Sequence, residues 1–186
     1  MNPLTIFLLV ILFRVASGIQ NGAFYGKQLG NQTLATIWMV VFSTVSGIAS
    51  VMIYGLDWPY YMIGSLFIGS GVSAYILHRI MLENKVQLIH FWESVTTGLF
   101  TIAALWLDFW PALFGVYPGV YLFKAMVNIG GGNQWHYNGT DDPEGRFFTV
   151  QIPIVGWTFK VPRLTMQIRL VLSILSIFAF IVYLYH

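Results

Sequence analysis

Residues 34–54 read LATIWMVVFSTVSGIASVMIY, an uninterrupted stretch without a charged side chain. A helix of about 20 such residues crosses the hydrocarbon layer of a bilayer. The rest of the chain has the same character, since 57% of its 186 residues are hydrophobic and only 9% are charged. A soluble domain carries about 25% charged residues. The sequence therefore predicts an integral membrane protein.

Five further segments resemble this stretch in length and hydropathy, which predicts an all-α, polytopic bundle of about six transmembrane helices. The six segments cover residues 4–24, 34–54, 60–80, 86–106, 111–129 and 164–184. The first is the weakest because Arg14 and two amides interrupt it, and the count would be five if it did not span. The fifth holds Pro118 and Lys124, so a kinked span and a re-entrant segment are both open. The whole chain, residues 1–186, is expected to form one membrane domain.

The charged residues between these segments divide by side, because alternate loops lie on opposite faces of a membrane. The basic loop residues all fall on one side: Lys27, Arg79, Lys85, Arg146, Lys160 and Arg163. The other side holds Asp57 and Asp108 in two short turns. By the positive-inside rule, the basic loops, including residues 130–163, are predicted to be cytoplasmic and both termini to face the opposite side. No Lys or Arg precedes the first segment, so it is expected to be retained rather than cleaved as a signal peptide.

The polar stretch 130–163 contains a short internal echo. The series FTVQIP at residues 148–153 returns as WTFKVP at residues 157–162. Alternation ended by proline predicts a β-hairpin that turns near Val155 and Gly156. A two-stranded hairpin is marginal in water. Its aromatic residues are therefore expected to pack on the helices, as a lid, or on a protein partner: Phe148, Trp157 and Phe159.

The fourth segment carries polar residues at spacings of three and four, which place them on one helix face. These residues are Gln87, His90, Ser94, Thr97 and Thr101, with Glu93 beside them. A carboxylate at membrane depth costs a few kcal/mol or more, so Glu93 is expected to face the bundle interior or to be protonated. The alternative is that His90 and Glu93 are structural or lie in the headgroup layer.

Arg14 interrupts the first segment near its middle and stays charged, so it needs an anionic partner or a route to the interface. Glu93 is the expected partner, and Asp57, Asp108 or an anionic lipid head are the alternatives. Lys124 is expected to extend to the cytoplasmic interface. The candidates for a substrate or ion path are therefore Arg14, His90, Glu93 and Thr97.

Ser65, Gly69 and Ser73 lie four residues apart on the third segment. Small residues at this spacing let two membrane helices approach closely. They predict helix packing, either within the chain or in a homo-oligomer.

Several function classes are disfavoured by what the sequence lacks. Cysteine is absent, which removes thiolate chemistry, and the net charge of +2 is too small for nucleic-acid binding. No metal site, cofactor site or catalytic motif is predicted. Three hypotheses remain: a transport or channel-like protein, a non-catalytic subunit that binds a partner, and a membrane enzyme that uses Asp141, Asp142 and Arg146 on a lipid.

Overall fold

A computed structural model describes residues 1–55, 57–135, 147–152, 157–162 and 165–186. Six α-helices dominate it: α1 (Pro3–Tyr25), α2 (Leu29–Tyr54), α3 (Trp58–Leu82), α4 (Val86–Leu107), α5 (Phe109–Gly130) and α6 (Met166–Tyr185). Each is long and apolar enough to cross a membrane. The prediction of six helices with the length and hydropathy of membrane spans is confirmed, and the weak first and fifth segments are both full-length helices.

Two short strands, β1 (Phe147–Ile152) and β2 (Trp157–Pro162), are also present. Their backbones pair antiparallel, with Phe147 opposite Pro162 and Ile152 opposite Trp157. The turn predicted near Val155 and Gly156 lies outside the described residues. A cytoplasmic hairpin that packs through its aromatic face stays a prediction.

The helix α5 continues across Pro118, and a backbone carbonyl that this proline leaves without a donor is bonded by α6. Proline has no N–H, so the carbonyl of Phe114, four residues earlier, loses its helical donor. The hydroxyl of Ser176 on α6 donates to this carbonyl at 2.7 Å, and Ser173 donates to the carbonyl of Tyr117 at 3.1 Å. A backbone carbonyl without a donor would be costly in lipid, so Ser176 compensates for the bond lost at Pro118. The two serines together fix α6 against α5.

The helix α1 lies at the centre of the bundle, in contact with α2, α4 and α5. Its seam with α5 is unusually close because Gly18, Gly22 and Gly26 face that helix. A Cβ built on Gly18 would lie 2.6 Å from the carbonyl oxygen of Phe123, and one on Gly22 would lie 2.5 Å from that of Met126. Glycines four residues apart allow such backbone contact between membrane helices. This glycine seam holds the two helices that carry most of the site.

Asp108 joins α4 to α5, and burial raises the pKa of its carboxyl. The folded state therefore favours the protonated form, so this group's contribution to stability is present at acidic pH and is lost as the pH rises through the folded-state pKa. We expect Asp108→Asn to raise the thermal unfolding midpoint in detergent at about pH 7 and to leave it unchanged at about pH 3, below the ordinary pKa of aspartate. An equal gain at both pH values would contradict this account.

Candidate functional site: a polar cleft between three helices

A polar cleft of about 410 Å³ opens at one end of the bundle, where the C-terminal ends of α1 and α5 meet the N-terminal end of α4. Its lining is mixed in charge and hydrogen-bonding type, and the residues are Asn21, Tyr25, His90, Glu93, Phe123, Lys124, Val127, Asn128, Gly131 and Asn133. The volume is within the range of small-molecule sites. This end of the bundle is the one predicted to be cytoplasmic.

Glu93 forms the carboxylate wall of the cleft. Its side chain is 19% exposed, whereas that of His90, one turn nearer the helix end, is 75% exposed. The two form an ion pair, with 3.6 Å between His90 Nδ1 and Glu93 Oε2, when the imidazole is protonated. Glu93 therefore faces inward and His90 lies at the rim, where its protonation changes the charge next to the carboxylate.

Lys124 lies in the wall of the same cleft, on α5. The sequence interpretation, a side chain that only extends to the interface, overlooked that this position converges with Glu93. Lys124 and Glu93 converge because of how α4 and α5 pack beside α1. This packing cannot be inferred from the sequence of either segment alone. The cleft thus holds a carboxylate and an ammonium together with three asparagines, a set that can bind polar solutes.

From the cleft, a polar strip runs deeper between α1 and α4. Arg14, Ser17 and Asn21 share one face of α1 because they are spaced three and four residues apart, and Glu93, Thr97 and Thr101 share one face of α4. At the cleft end of the strip, Asn21 of α1 and Glu93 of α4 line the cleft. At the deep end, Arg14 of α1 contacts Thr101 of α4. There Arg14 Nη2 donates to Thr101 Oγ1 at 3.1 Å.

The threonines of the strip also bond to their own helix. The hydroxyl of Thr101 donates to the carbonyl of Thr97 at 2.7 Å, and that of Thr97 to the carbonyl of Glu93 at 2.9 Å. Their donors are thus occupied and their lone pairs are left to accept. Ser94, which the sequence pattern placed on the same face, is exposed and donates to the carbonyl of His90.

The expected partnership of Arg14 with Glu93 is not a direct ion pair, although the charge of Glu93 attracts the guanidinium from a distance. Within the described part of the chain, Arg14 forms no ion pair, and its Nε is buried without a hydrogen-bond partner. The reason is axial register. Thr101, which Arg14 contacts, lies eight residues beyond Glu93, about 12 Å along the axis of α4 at 1.5 Å per residue.

Beside the strip, an aromatic layer closes the centre of the bundle. The ring of Phe100 stacks on Phe13 with 3.9 Å between centroids and meets Phe67 edge-on at 4.9 Å. Phe13, Phe67 and Phe100 are each at most 2% exposed. Because α1 and α4 are antiparallel, Ser17 and Thr96 lie one turn from this layer on the side of the cleft. The aromatic layer therefore lies across the centre of the described bundle, next to the polar strip.

Several buried polar atoms on the cleft side of the aromatic layer have no hydrogen-bond partner among the described residues. They include Ser17 Oγ, Gln20 Oε1, Gln32 Nε2, His78 Nδ1 and Thr96 Oγ1. Gln20 is anchored by its amide nitrogen, which donates to Thr36 Oγ1 at 2.8 Å. An unpaired buried polar atom costs about 1–3 kcal/mol, which ordered water or a ligand would offset. The interior on this side is therefore suited to hydration.

The three residues predicted to pack helices, Ser65, Gly69 and Ser73, differ in how closely they contact the neighbouring helices. Ser73 is buried, Ser65 is exposed, and a Cβ on Gly69 would make only an ordinary 3.8 Å contact with Leu99. The close approaches of α3 to α2 occur at Gly64 and Gly71 instead. Whether the face at Ser65 and Gly69 meets lipid or a second copy stays a prediction.

The partner-binding candidates Phe148, Trp157 and Phe159 have paired backbones, but their side chains lie outside what the structure describes. Their role therefore stays a prediction. In the described ranges, no group of three or more His, Asp and Glu side chains converges in a way that could hold a metal ion.

Comparison with known proteins gives no match: no family model, curated protein or solved structure is similar to this chain. The role of the cleft has to be inferred from its own chemistry.

Proposed function

We propose that this protein is a small multi-pass membrane transporter whose solute site is the cleft between α1, α4 and α5, together with the polar strip that leads to Arg14. The observation that carries the proposal is a polar cleft that is open at one end of the bundle, from which a line of polar side chains extends to Arg14 near the middle of α1. Ionisable residues at membrane depth generally mark substrate or ion pathways. The strip has this property at both ends, with Glu93 at its mouth and Arg14 at its base.

The aromatic layer favours a carrier over a channel. A channel needs a continuous polar path, whereas Phe13, Phe67 and Phe100 close the centre of the bundle beside the strip. A carrier exposes its site to one side at a time and keeps the other side closed. The described conformation then corresponds to the state open toward the cleft.

The cleft is proposed to open to the cytoplasm. Lys27, Arg79 and Lys85 lie at this end of the helices, and an excess of basic residues is typical of cytoplasmic loops. The acidic residues Asp57 and Asp108 lie at the other end.

The proposal can be tested by solute entry into proteoliposomes, followed by light scattering as the vesicles swell. The probes are four small solutes of different charge: glycerol, choline chloride, glycine and sodium lactate. We expect at least one of them to enter faster than into protein-free vesicles, and Glu93→Gln to reduce that excess rate at least about tenfold, as for loss of a charge-assisted contact.

The matched control is Ser94→Ala, because Ser94 is the next residue along α4 but is exposed outside the cleft. This variant should retain the wild-type rate. Equal rates in wild-type and empty vesicles for all four probes would overturn the transport proposal, as would equal losses in the two variants.

A further inference from the structure

Arg14 forms no direct ion pair within the described part of the chain. Arg14 is eleven residues from each end of α1, which places it near the centre of the membrane-spanning segment. A guanidinium there is costly unless an anion or several acceptors compensate it. Among the described residues, its hydrogen-bond partner is one neutral hydroxyl, that of Thr101.

No acidic side chain in the described part of the chain contacts the guanidinium directly, although Glu93 attracts it from a distance. Glu93 pairs with His90, at the mouth of the cleft. Asp57 and Asp108 lie beyond the helix ends on the opposite side, about 16 Å from Arg14 at 1.5 Å per residue. The base of the strip therefore holds a guanidinium that no carboxylate of the described residues contacts directly.

The geometry of Arg14 specifies the kind of anion. Its Nε is buried and has no partner in the described part of the chain, so the edge of the guanidinium that carries the Nε–H is available. That edge takes the two oxygens of a carboxylate in a planar, bidentate arrangement. One turn along α1, Ser17 adds a fully buried hydroxyl that also has no partner among these residues.

The stem of Arg14 is held in place from the opposite side. A Cβ on Gly119 of α5 would lie 3.1 Å from Arg14 Cβ and 3.0 Å from Arg14 Cγ, so α5 packs directly on the aliphatic part of the side chain. This contact directs the guanidinium toward α4 and limits its freedom. A preorganised donor loses less entropy on binding than a mobile one.

We propose that Arg14 binds a small monovalent carboxylate at the base of the polar strip. This inference rests on the proposed transport function, because the carboxylate is taken to reach Arg14 through the cleft. The cleft does not present a purely negative surface to such an anion, since Lys124 shares its wall with Glu93.

The test is the thermal unfolding midpoint of the purified protein in mild detergent, titrated with sodium lactate at constant ionic strength set by sodium chloride. Lactate should raise the midpoint of the wild-type protein in a saturable way. Arg14→Gln should abolish the rise, and Arg14→Lys, which keeps the charge but lacks the planar fork, should weaken binding at least about tenfold. Arg79→Gln, a control at an exposed arginine at the end of α3, should bind lactate as the wild-type protein does.

The inference is overturned if lactate has no effect on the wild-type protein or if Arg14→Gln responds as the wild-type protein does. It is also overturned if only an anionic lipid such as phosphatidylglycerol gives the rise, since the site would then bind a headgroup. If Arg14→Gln does not fold, the Arg14→Lys comparison decides. Entry of glycerol or choline that depends on Glu93, without lactate binding, would leave the transport proposal standing and this inference refuted. Lactate binding at Arg14 without entry of any probe would refute the transport proposal and leave the carboxylate site standing.

Discussion

Gly22→Ala should destabilise the protein by about 1–3 kcal/mol, the usual cost of overpacking a close contact. Alanine is the better helix former, so propensity alone predicts the opposite sign. The loss is expected because the new Cβ would lie 2.5 Å from the carbonyl oxygen of Met126 and 3.0 Å from the Cα of Gly130. Both are backbone atoms, and α1 and α5 would have to move apart to relieve the contact.

Gly30→Ala is the matched control for this prediction. Gly30 is exposed near the start of α2, and a Cβ there would meet no atom within 4 Å. This variant should be neutral or stabilising by about 0.5–1 kcal/mol, the propensity difference between the two residues. Unfolding midpoints in detergent measure both effects. If the two variants shift the midpoint in the same direction, the glycine seam is not a tight contact.

The six helices could be predicted because hydropathy and length are properties of each segment alone. Most predicted ends agree with the observed ends within two residues, but α2 begins at Leu29 instead of residue 34. Its first turns are polar, with Gln32 buried and the hydroxyl of Thr33 donating to the carbonyl of Leu29. Hydropathy detects the part of a helix that lies in hydrocarbon and not the part that extends beyond it.

The site could be predicted only in part from the sequence, because it depends on how different helices align. Glu93 and Arg14 could be singled out as ionisable residues inside apolar segments. That Arg14 contacts Thr101, about 12 Å beyond Glu93 along α4, could not be predicted, because it follows from the register that stacks Phe13 on Phe100. The spacing of Gly18, Gly22 and Gly26 was a signal for close packing that the sequence did contain, although the prediction placed such packing on α3.

Phe100→Ala should both destabilise the protein and make it leak. Truncation of a buried phenylalanine to alanine generally costs about 3–5 kcal/mol, and packing forces of the same kind hold membrane helices together. Phe100 is 1% exposed and contacts both Phe13 and Phe67, so its removal leaves a gap in the middle of the aromatic layer. Ser17 and Thr96 lie next to that gap, and their unpaired hydroxyls would favour the entry of water.

The leak is measured as swelling of proteoliposomes in glycerol and in sodium lactate. Phe100→Ala should admit both solutes faster than the wild-type protein, and the added rate should not depend on Glu93, because a hydrated gap bypasses the binding site. Phe100→Leu, which keeps most of the volume, should stay closed. Phe178→Ala is the control for loss of an aromatic ring at the lipid face, since Phe178 on α6 is 65% exposed. A folded Phe100→Ala variant with wild-type swelling rates would show that the barrier lies elsewhere, because the aromatic layer would then contribute packing but no closure.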